Sequence, residues 1–381
     1  MAPVKPIQGD FPLDDSIIGV LPQGTTVLSA KSWALSAWTR TARIDTQLQD
    51  GTLKSYFLKC VNGKLAQIHI WGEHYSASLV AECAPECGSH PVGKGVYMDE
   101  NNDNAVRYFY VQDFHDMDTE KPPDPSGLAA TMATIHGNSA SPNGLFGYPI
   151  VTGRGTPDRV AEHWSDSWAE QFTYLLTDLI KLDNCVKGSW REYDAACKQL
   201  ISGVVPRLLG VLQTEGRTIE PSLVHGDLWE GNVATDKKTG KVIMFDFDEC
   251  TYAHNEMEMG TWRCRWATHF FISLLSSVSS SSDGKMERPS SKYVDAYKRE
   301  IPPSEPAEEF DDRNRLYAIK AAICDSAGHR GSVSRQLAYN DILFLCEKYA
   351  PLESLEKYDP QKDISVTGIK DKYDVMAGIL N

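Results

Sequence analysis

The chain is 381 residues long, carries a formal net charge of −14 and is 41% hydrophobic. That length and apolar content support a large core divided into one or two lobes, while the acidic balance argues against a broad nucleic-acid surface, which needs basic patches against phosphate. No run of about 18 apolar residues occurs and residues 1–10 lack a charged-then-apolar signal pattern, so no membrane partner is expected and the chain reads as cytoplasmic.

Residues 1–23, with Pro3, Pro6, Pro12 and Pro22, read as a flexible arm bearing one short apolar patch at 17–21. Residues 25–28, 41–48 and 54–60 read as strands, the last following an Asp50-Gly51 turn and carrying Lys59 near its end. Residues 65–83 are apolar at helical spacing, with Ile68, Trp71, Tyr75 and Leu79 as the expected buried face. Residues 106–112 form an aromatic strand, and the polar stretch 113–118 before a Pro-rich turn at 122–125 suits a hinge between two lobes.

Beyond the hinge the chain is mainly helical, with helices expected at 127–136, 166–182, 191–213 (broken at Pro206), 293–299, 311–326 and 340–349. Residues 138–155 read as a Gly/Pro-rich loop, 276–291 as a mobile Ser-rich loop and 351–381 as a charged tail with little core. The organisation expected is an arm (1–23), an N-lobe (24–115), a C-lobe (116–350) and a tail (351–381). The nine cysteines are odd in number and scattered, as reduced thiols are. Cys83 and Cys87 form a C-x-x-x-C with no matching second pair, and read as packing residues rather than metal ligands.

The stretch with chemical content is 223–246, L-V-H-G-D-L-W-E-G-N, a turn at 235–240, and K-V-I-M-F-D. Asp227 stands five residues before Asn232, and Asp246 closes an apolar strand. Phosphoryl transfer needs this set: one carboxylate to orient the attacking hydroxyl and take its proton, an amide and a second carboxylate to hold magnesium on nucleotide phosphates. The protein-kinase signature has the same order and spacing. A lone H-G-D occurs in many turns, but H-G-D-x-x-x-x-N followed by an apolar strand ending in Asp is far more specific. On this reading Lys59 is the cation near the α and β phosphates, and Glu73 on the following helix pairs with it, with Glu82 as competitor. Backbone groups near Gln112, Asp113 and Phe114 would meet the adenine edge. Asn255 and Glu258 read as a capping box, and His254 as a loop-packing residue.

These residues resemble the fructosamine kinase and ketosamine 3-kinase family, itself similar to aminoglycoside phosphotransferases and choline kinases. The resemblance rests on H-G-D-L-W-E-G-N (225–232), Y-A-H-N-E (252–256), F-G-Y-P-I-V-T-G (146–153) and H-W-S-D-S-W (163–168). It implies an α+β, protein-kinase-like bilobal fold: a small N-lobe antiparallel sheet with one helix, and a larger helical C-lobe. It implies ATP and Mg2+, and phosphorylation of the sugar 3-hydroxyl of a ketoamine such as a ribulosamine or fructosamine, free or protein-bound, the chemistry of deglycation. Carried over, Asp227 is the base, Asn232 and Asp246 bind metal, and Lys59 and Glu73 form the ion pair. Trp229, Trp164 and Trp168 fall at the acceptor pocket, Trp229 having C-lobe core as its other reading.

Two departures stand out. Asp246 is six residues before Tyr252 and Asp248 four, where the family has five, and the strand-end position favours Asp246. The stretch at the phosphate loop, 24–33, holds one glycine in place of G-x-G-x-x-G. Two other readings follow: a small-molecule kinase with an aminoglycoside- or choline-like acceptor, and a nucleotide-binding pseudokinase. Oligomeric state is not legible.

Overall fold

A computed structural model describes residues 10–33, 39–63, 65–86, 90–99, 104–118, 121–150, 163–263, 291–329 and 331–363. The Ser-rich stretch 276–290 and the tail beyond 363 lie outside these residues. The first layer is a five-stranded antiparallel sheet built from β1 (Thr26–Ser32), β2 (Arg40–Gln47), β3 (Leu53–Asn62), β4 (Pro91–Asp99) and β5 (Ala105–Asp113), in the order β1-β2-β3-β5-β4. Period-2 alternation puts Tyr56, Leu58 and Cys60 of β3 on the core side and Phe57 and Lys59 on the other. Phe11, Ile17 and Leu21 close that core from outside the sheet, with α1 (Asp15–Gly19) capped by the Asp14 carboxylate on Ser16 N–H. Residues 10–21 are therefore packed structure rather than a free arm, because three apolar side chains in twelve residues have a sheet face to bury against.

Strand β4 is the element the sequence hides. Pro91, Gly93 and Gly95 are residues depleted in strands, yet the strand needs Gly95: a Cβ there would lie 2.7 Å from the Phe109 ring of β5.

Helix α2 (Ala66–Cys83) follows β3, as expected, but rotated from the expected face. Ala66, Ile70, Glu73, Ala77 and Val80 are buried, whereas Ile68, Trp71 and Tyr75 are among the exposed large hydrophobics. The small side chains win because α2 packs closely. Ile70, Ala77 and Val80 share one hydrophobic cluster with Leu128 and Met132 of α3 (Pro125–Asn138) and with Leu223, Leu228, Val233, Met244 and Phe247 around the catalytic-loop candidate. The helix beside the N-terminal sheet is thus seated on the second layer.

That second layer holds two short antiparallel sheets, β11-β10-β6 and β8-β7-β12-β9, where β6 is Met117–Asp118, β7 Phe146–Gly147, β8 Trp164–Ser165, β9 Ser222–Val224, β10 Val233–Asp236, β11 Val242–Met244 and β12 Thr251–Ala253. The hinge segment is stitched to the β10–β11 hairpin, Asp118 pairing with Thr235 and Met117 with Asp236. The Asp236 carboxylate closes the hairpin turn on Lys238 and Thr239 N–H.

The helix Ser291–Glu300 joins the cluster of α2 and α3 through Tyr293, Ala296 and Tyr297, and the largest cluster forms around α4 (Trp168–Lys187) and the helices Phe310–Gly328 and Ser334–Tyr349. The helical run 191–213 does not break at Pro206. A π turn at Leu200–Val204 absorbs the missing N–H and helix resumes at Val205–Leu209. That run is apolar and long enough to pass as a membrane span, but Tyr193, Ala196, Leu200, Val204 and Leu208 are buried in this cluster. Residues 351–363 also pack: Leu355 and Tyr358 lie on the helical core and buried Asp363 pairs with Arg315 at 2.9 Å. The seven described cysteines are all free thiols.

Candidate active site

The apolar strands β9 and β11 carry two loop segments side by side at the junction of sheet and helices. After β9 the chain turns through His225-Gly226-Asp227. Gly226 sits at φ +81°, and a Cβ on it would lie 2.2 Å from the Glu249 carbonyl oxygen. Only glycine lets the two loops touch here. His225 is buried, its Nε2 2.9 Å from the Phe245 carbonyl oxygen and its ring 4.9 Å from that of Phe247. The carboxylate of Glu258, buried beneath, accepts the N–H of His225 at 2.7 Å and of Gly226 at 3.3 Å. Burial alone would raise its pKa, but contacts with His136 and the His225 N–H hold it below the ordinary range. Sequence reading assigned Glu258 to a capping box with Asn255. The carboxylate instead bonds across to the loop 32 and 33 residues upstream in the chain, a partnership no local spacing reveals.

Asn232, at the end of the 3-10 turn Glu230–Asn232, donates its Nδ2 to the Asp227 carbonyl oxygen at 2.8 Å and to Asp227 Oδ2 at 3.3 Å. The five-residue spacing thus closes a ring on itself, with the Asn232 amide nitrogen donating twice to Asp227. Asp246, just past β11, adopts φ +68°, uncommon for a non-glycine residue. It reaches Lys59 of β3: Oδ1 lies 2.5 Å from Nζ. Lys59 Nζ also contacts Glu73 Oε2 of α2 at 2.7 Å. Burial would lower the Lys59 pKa, but Asp246 and Glu73 together push it well above its ordinary value, so the ammonium is charged. Glu73 is buried and Glu82 exposed without a Lys59 contact, which separates the two competitors. Asp246, not Asp248, touches the lysine. The Asp248 carboxyl is pushed well above its ordinary pKa by burial and by the Asp246 charge.

The structure therefore brings Lys59, Glu73, Asp227, Asn232 and Asp246 to one junction. At the hinge, 112–114, two backbone donors are already engaged. The N–H of Asp113 donates to His90 O at 2.9 Å and that of Phe114 to Ser55 O at 3.1 Å. The Gln112 side chain is buried, accepting from Tyr110 OH at 2.5 Å. The donors at 113 and 114 are thus spent within the sheet. The Phe114 ring packs edge-on to Trp33 at 5.2 Å beneath the Arg43 guanidinium.

The three tryptophans separate. Trp168 is fully buried, its Nε1 donating to Tyr317 OH at 2.9 Å. It is core, because the N-terminus of α4 faces the helical cluster rather than the loops, and its assignment to the acceptor pocket is withdrawn. Trp164 on β8 is half-buried and lies nearly parallel to Tyr252 at 6.5 Å. Trp229 is half-buried two residues from Asp227, its ring against the Gly231 backbone.

Asn232 and Asp246 are hard oxygen donors, one amide and one carboxylate. Among the described residues no group of three or more His, Cys, Asp or Glu side chains could hold a metal. An amide and a carboxylate oxygen fit Mg2+, which takes one or two protein oxygens and completes its shell with water and phosphate.

A family model for fructosamine kinases matches residues 38–284, more than half of the chain. The chain belongs to the fructosamine kinase family. Among curated proteins it is 31% identical over 152 residues to the chloroplastic protein-ribulosamine 3-kinase of Oryza sativa subsp. japonica, covering 39% of this chain and 41% of that one. The Arabidopsis thaliana counterpart is 30% identical over 146 residues, 38% and 41% of the two chains. The aligned part thus spans about two fifths of the length of these curated relatives. A crystal structure from Haemophilus somnus 129PT with a provisional fructosamine-3-kinase assignment superposes with a TM-score of 0.58 at 14% identity, over 86% of this chain and 96% of that one. A thermostable mutant of aminoglycoside phosphotransferase APH(4)-Ia gives 0.52 at 14% identity, over 85% and 95%. The family's α+β, protein-kinase-like architecture is the one described above.

Proposed function

We propose that the chain is an ATP-dependent kinase that transfers the γ-phosphoryl group to the 3-hydroxyl of a ketoamine, a ribulosamine or fructosamine. The observation that carries this is the junction itself: a lysine held charged by two carboxylates, one of which closes β11, beside a loop in which Asp227 is braced by Asn232. Family membership supports the acceptor class, and the name of the rice relative supports a ribulosamine. Related folds have been crystallised with ADP or AMP-PNP and hygromycin B, which supports the nucleotide.

In this reading Lys59, fixed by Glu73, positions the nucleotide phosphates. Asp227 orients the acceptor hydroxyl and takes its proton as the oxygen attacks phosphorus in line. Asn232 holds the Asp227 carboxylate and, with Asp246, would hold Mg2+. Bound there, the ion neutralises phosphate charge. Glu258 keeps the loop from shifting through two backbone N–H bonds. Trp229 offers an aromatic face beside the base for the sugar ring.

The test is coupled ADP release from Mg-ATP with a ribulosamine, a fructosamine, an aminoglycoside and choline in parallel. Release that depends on a ketoamine is expected. Release with choline or the aminoglycoside alone transfers the same machinery to another acceptor. Nucleotide binding without release to any of the four overturns the kinase reading.

A further inference from the structure

One polar cluster lies against the catalytic loop without belonging to the kinase signature. It comes from the long helix Phe310–Gly328, whose residues 312–323 are buried on every side. Lys320 and Cys324 stand one helical turn apart on one face, and each holds one oxygen of Glu249: Lys320 Nζ is 3.1 Å from Oε2, and Cys324 Sγ donates to Oε1 at 3.1 Å. Lys320 Nζ also donates to the Gly226 carbonyl oxygen at 3.3 Å, the group immediately before Asp227. The Glu249 backbone in turn abuts Gly226, three residues after Asp246. The helix therefore grips both loops of the junction at one point.

A buried ion pair gains little over apolar packing of the same shape, since desolvating both charges costs about as much as their attraction returns. Stability alone does not call for Lys320 at this place. Burial would depress its pKa, yet Glu249 and Cys324, with the charge of nearby Asp227, raise it. The group is a charged ammonium, and it points at the base's own loop.

We propose that Lys320, clamped by Glu249, is a positioning residue that fixes the Gly226–Asp227 peptide and so the aim of Asp227. The proposal rests on the kinase reading for its kinetic consequence but not for its structural one. Asp227 is placed by two braces from opposite sides: Glu258 takes the N–H groups of His225 and Gly226, and Lys320 takes the carbonyl of Gly226. With the carbonyl released, the peptide plane can rotate and carry the carboxylate off line, where a displacement near 1 Å costs roughly 100-fold in rate.

The experiment compares wild type, Lys320→Met and Lys320→Arg by amide hydrogen exchange over residues 225–232, by thermal melting, and by steady-state kinetics with Mg-ATP and the active acceptor. Lys320→Met leaves the Glu249 carboxylate without its cation, so Tm is expected to fall; the positioning role is read from exchange that speeds in 225–232 and not in α4, a nucleotide Kd near wild type, and a kcat ~10- to 100-fold lower with little change in acceptor KM. Lys320→Arg, which keeps the cation and a donor, recovers part of kcat. If Lys320→Met does not fold, Glu249→Gln removes the other charge and is read the same way. Wild-type exchange at 225–232 overturns the proposal, as does a general rise in exchange with a proportionate fall in Tm, the mark of a merely structural pair. If wild type turns over no acceptor, the kinase reading fails, and the exchange comparison still decides the positioning role.

Discussion

Trp168 and Trp229 show how far a single side chain depends on what faces it. Sequence places both at the acceptor pocket, Trp229 with C-lobe core as its other reading. The structure buries one completely under Tyr317 and Phe172 and leaves the other half-covered beside Asp227. Trp168→Ala removes a large aromatic side chain from a closed core and is expected to cost about 3–5 kcal/mol. Trp229→Ala is expected to cost about 1 kcal/mol or less, as surface changes do, while raising KM for a ketoamine. Urea melts and acceptor titrations of the two variants separate these effects; a Trp229 variant with unaltered acceptor KM removes that residue from the pocket. That Asp227, Asn232 and Asp246 come together was legible from their spacing, and Lys59 was added because that signature calls for a strand lysine; the structure brings the four to one junction. Glu258 and Lys320 were not, because each acts on a peptide group more than thirty residues away in sequence, as the separations of their hydrogen bonds show.

Elements were read by period, and period fails where packing is tight. Ile68, Trp71 and Tyr75 of α2 lie on its outer face, and its buried face combines Ile70 and Val80 with the small residues Ala66, Gly72, Ser76 and Ala77 and with Glu73. Glu73 is therefore inside because small neighbours let the helix approach, which no hydrophobic count foretells. The helix Phe310–Gly328 is the opposite case: Arg313, buried, makes two contacts with Glu256 at 2.7 and 3.0 Å, so charges stand inside the helical packing. His254 belongs to the same packing. Its ring lies between Tyr317 OH at 2.8 Å and Ser304 Oγ at 2.9 Å, the loop-packing role read for it in sequence. Burial moves its pKa from 6.5 to about 4, against the pull of Glu256. The unfolded chain therefore binds this proton more tightly than the folded one. Stability is full above pH 6.5, falls as pH drops through the window to about 4, and levels below it, a loss of up to about 3 kcal/mol from this group. His254→Gln should flatten the stability profile in that window relative to wild type in urea melts from pH 7 to 4. An unchanged slope would mean that His254 charges in the folded state at little cost.

At the scale of the whole molecule, three hydrophobic clusters set the geometry: one in the five-stranded sheet, one among the C-terminal helices, and one shared by α2, α3 and the loops that carry Asp227 and Asp246. The shared cluster explains why residues from β3, α2 and two later loops converge. The sheet delivers Lys59, the shared core seats Glu73 and the two loops, and one ammonium ties the sheet to α2 and to the Asp246 loop through contacts of 2.7 and 2.5 Å. The kinase-like layout was legible because the catalytic stretch names it. The folding-back of residues 10–21 and 351–363 was not, since a few apolar side chains in a polar stretch acquire meaning only when a surface exists to receive them. The most direct test of this account is one comparison: nucleotide Kd and ketoamine-dependent ADP release for wild type and Asp227→Asn. The account predicts an unchanged Kd and a kcat lower by at least ~100-fold, because only the proton acceptor is lost. An Asp227→Asn variant that releases ADP at the wild-type rate would contradict it.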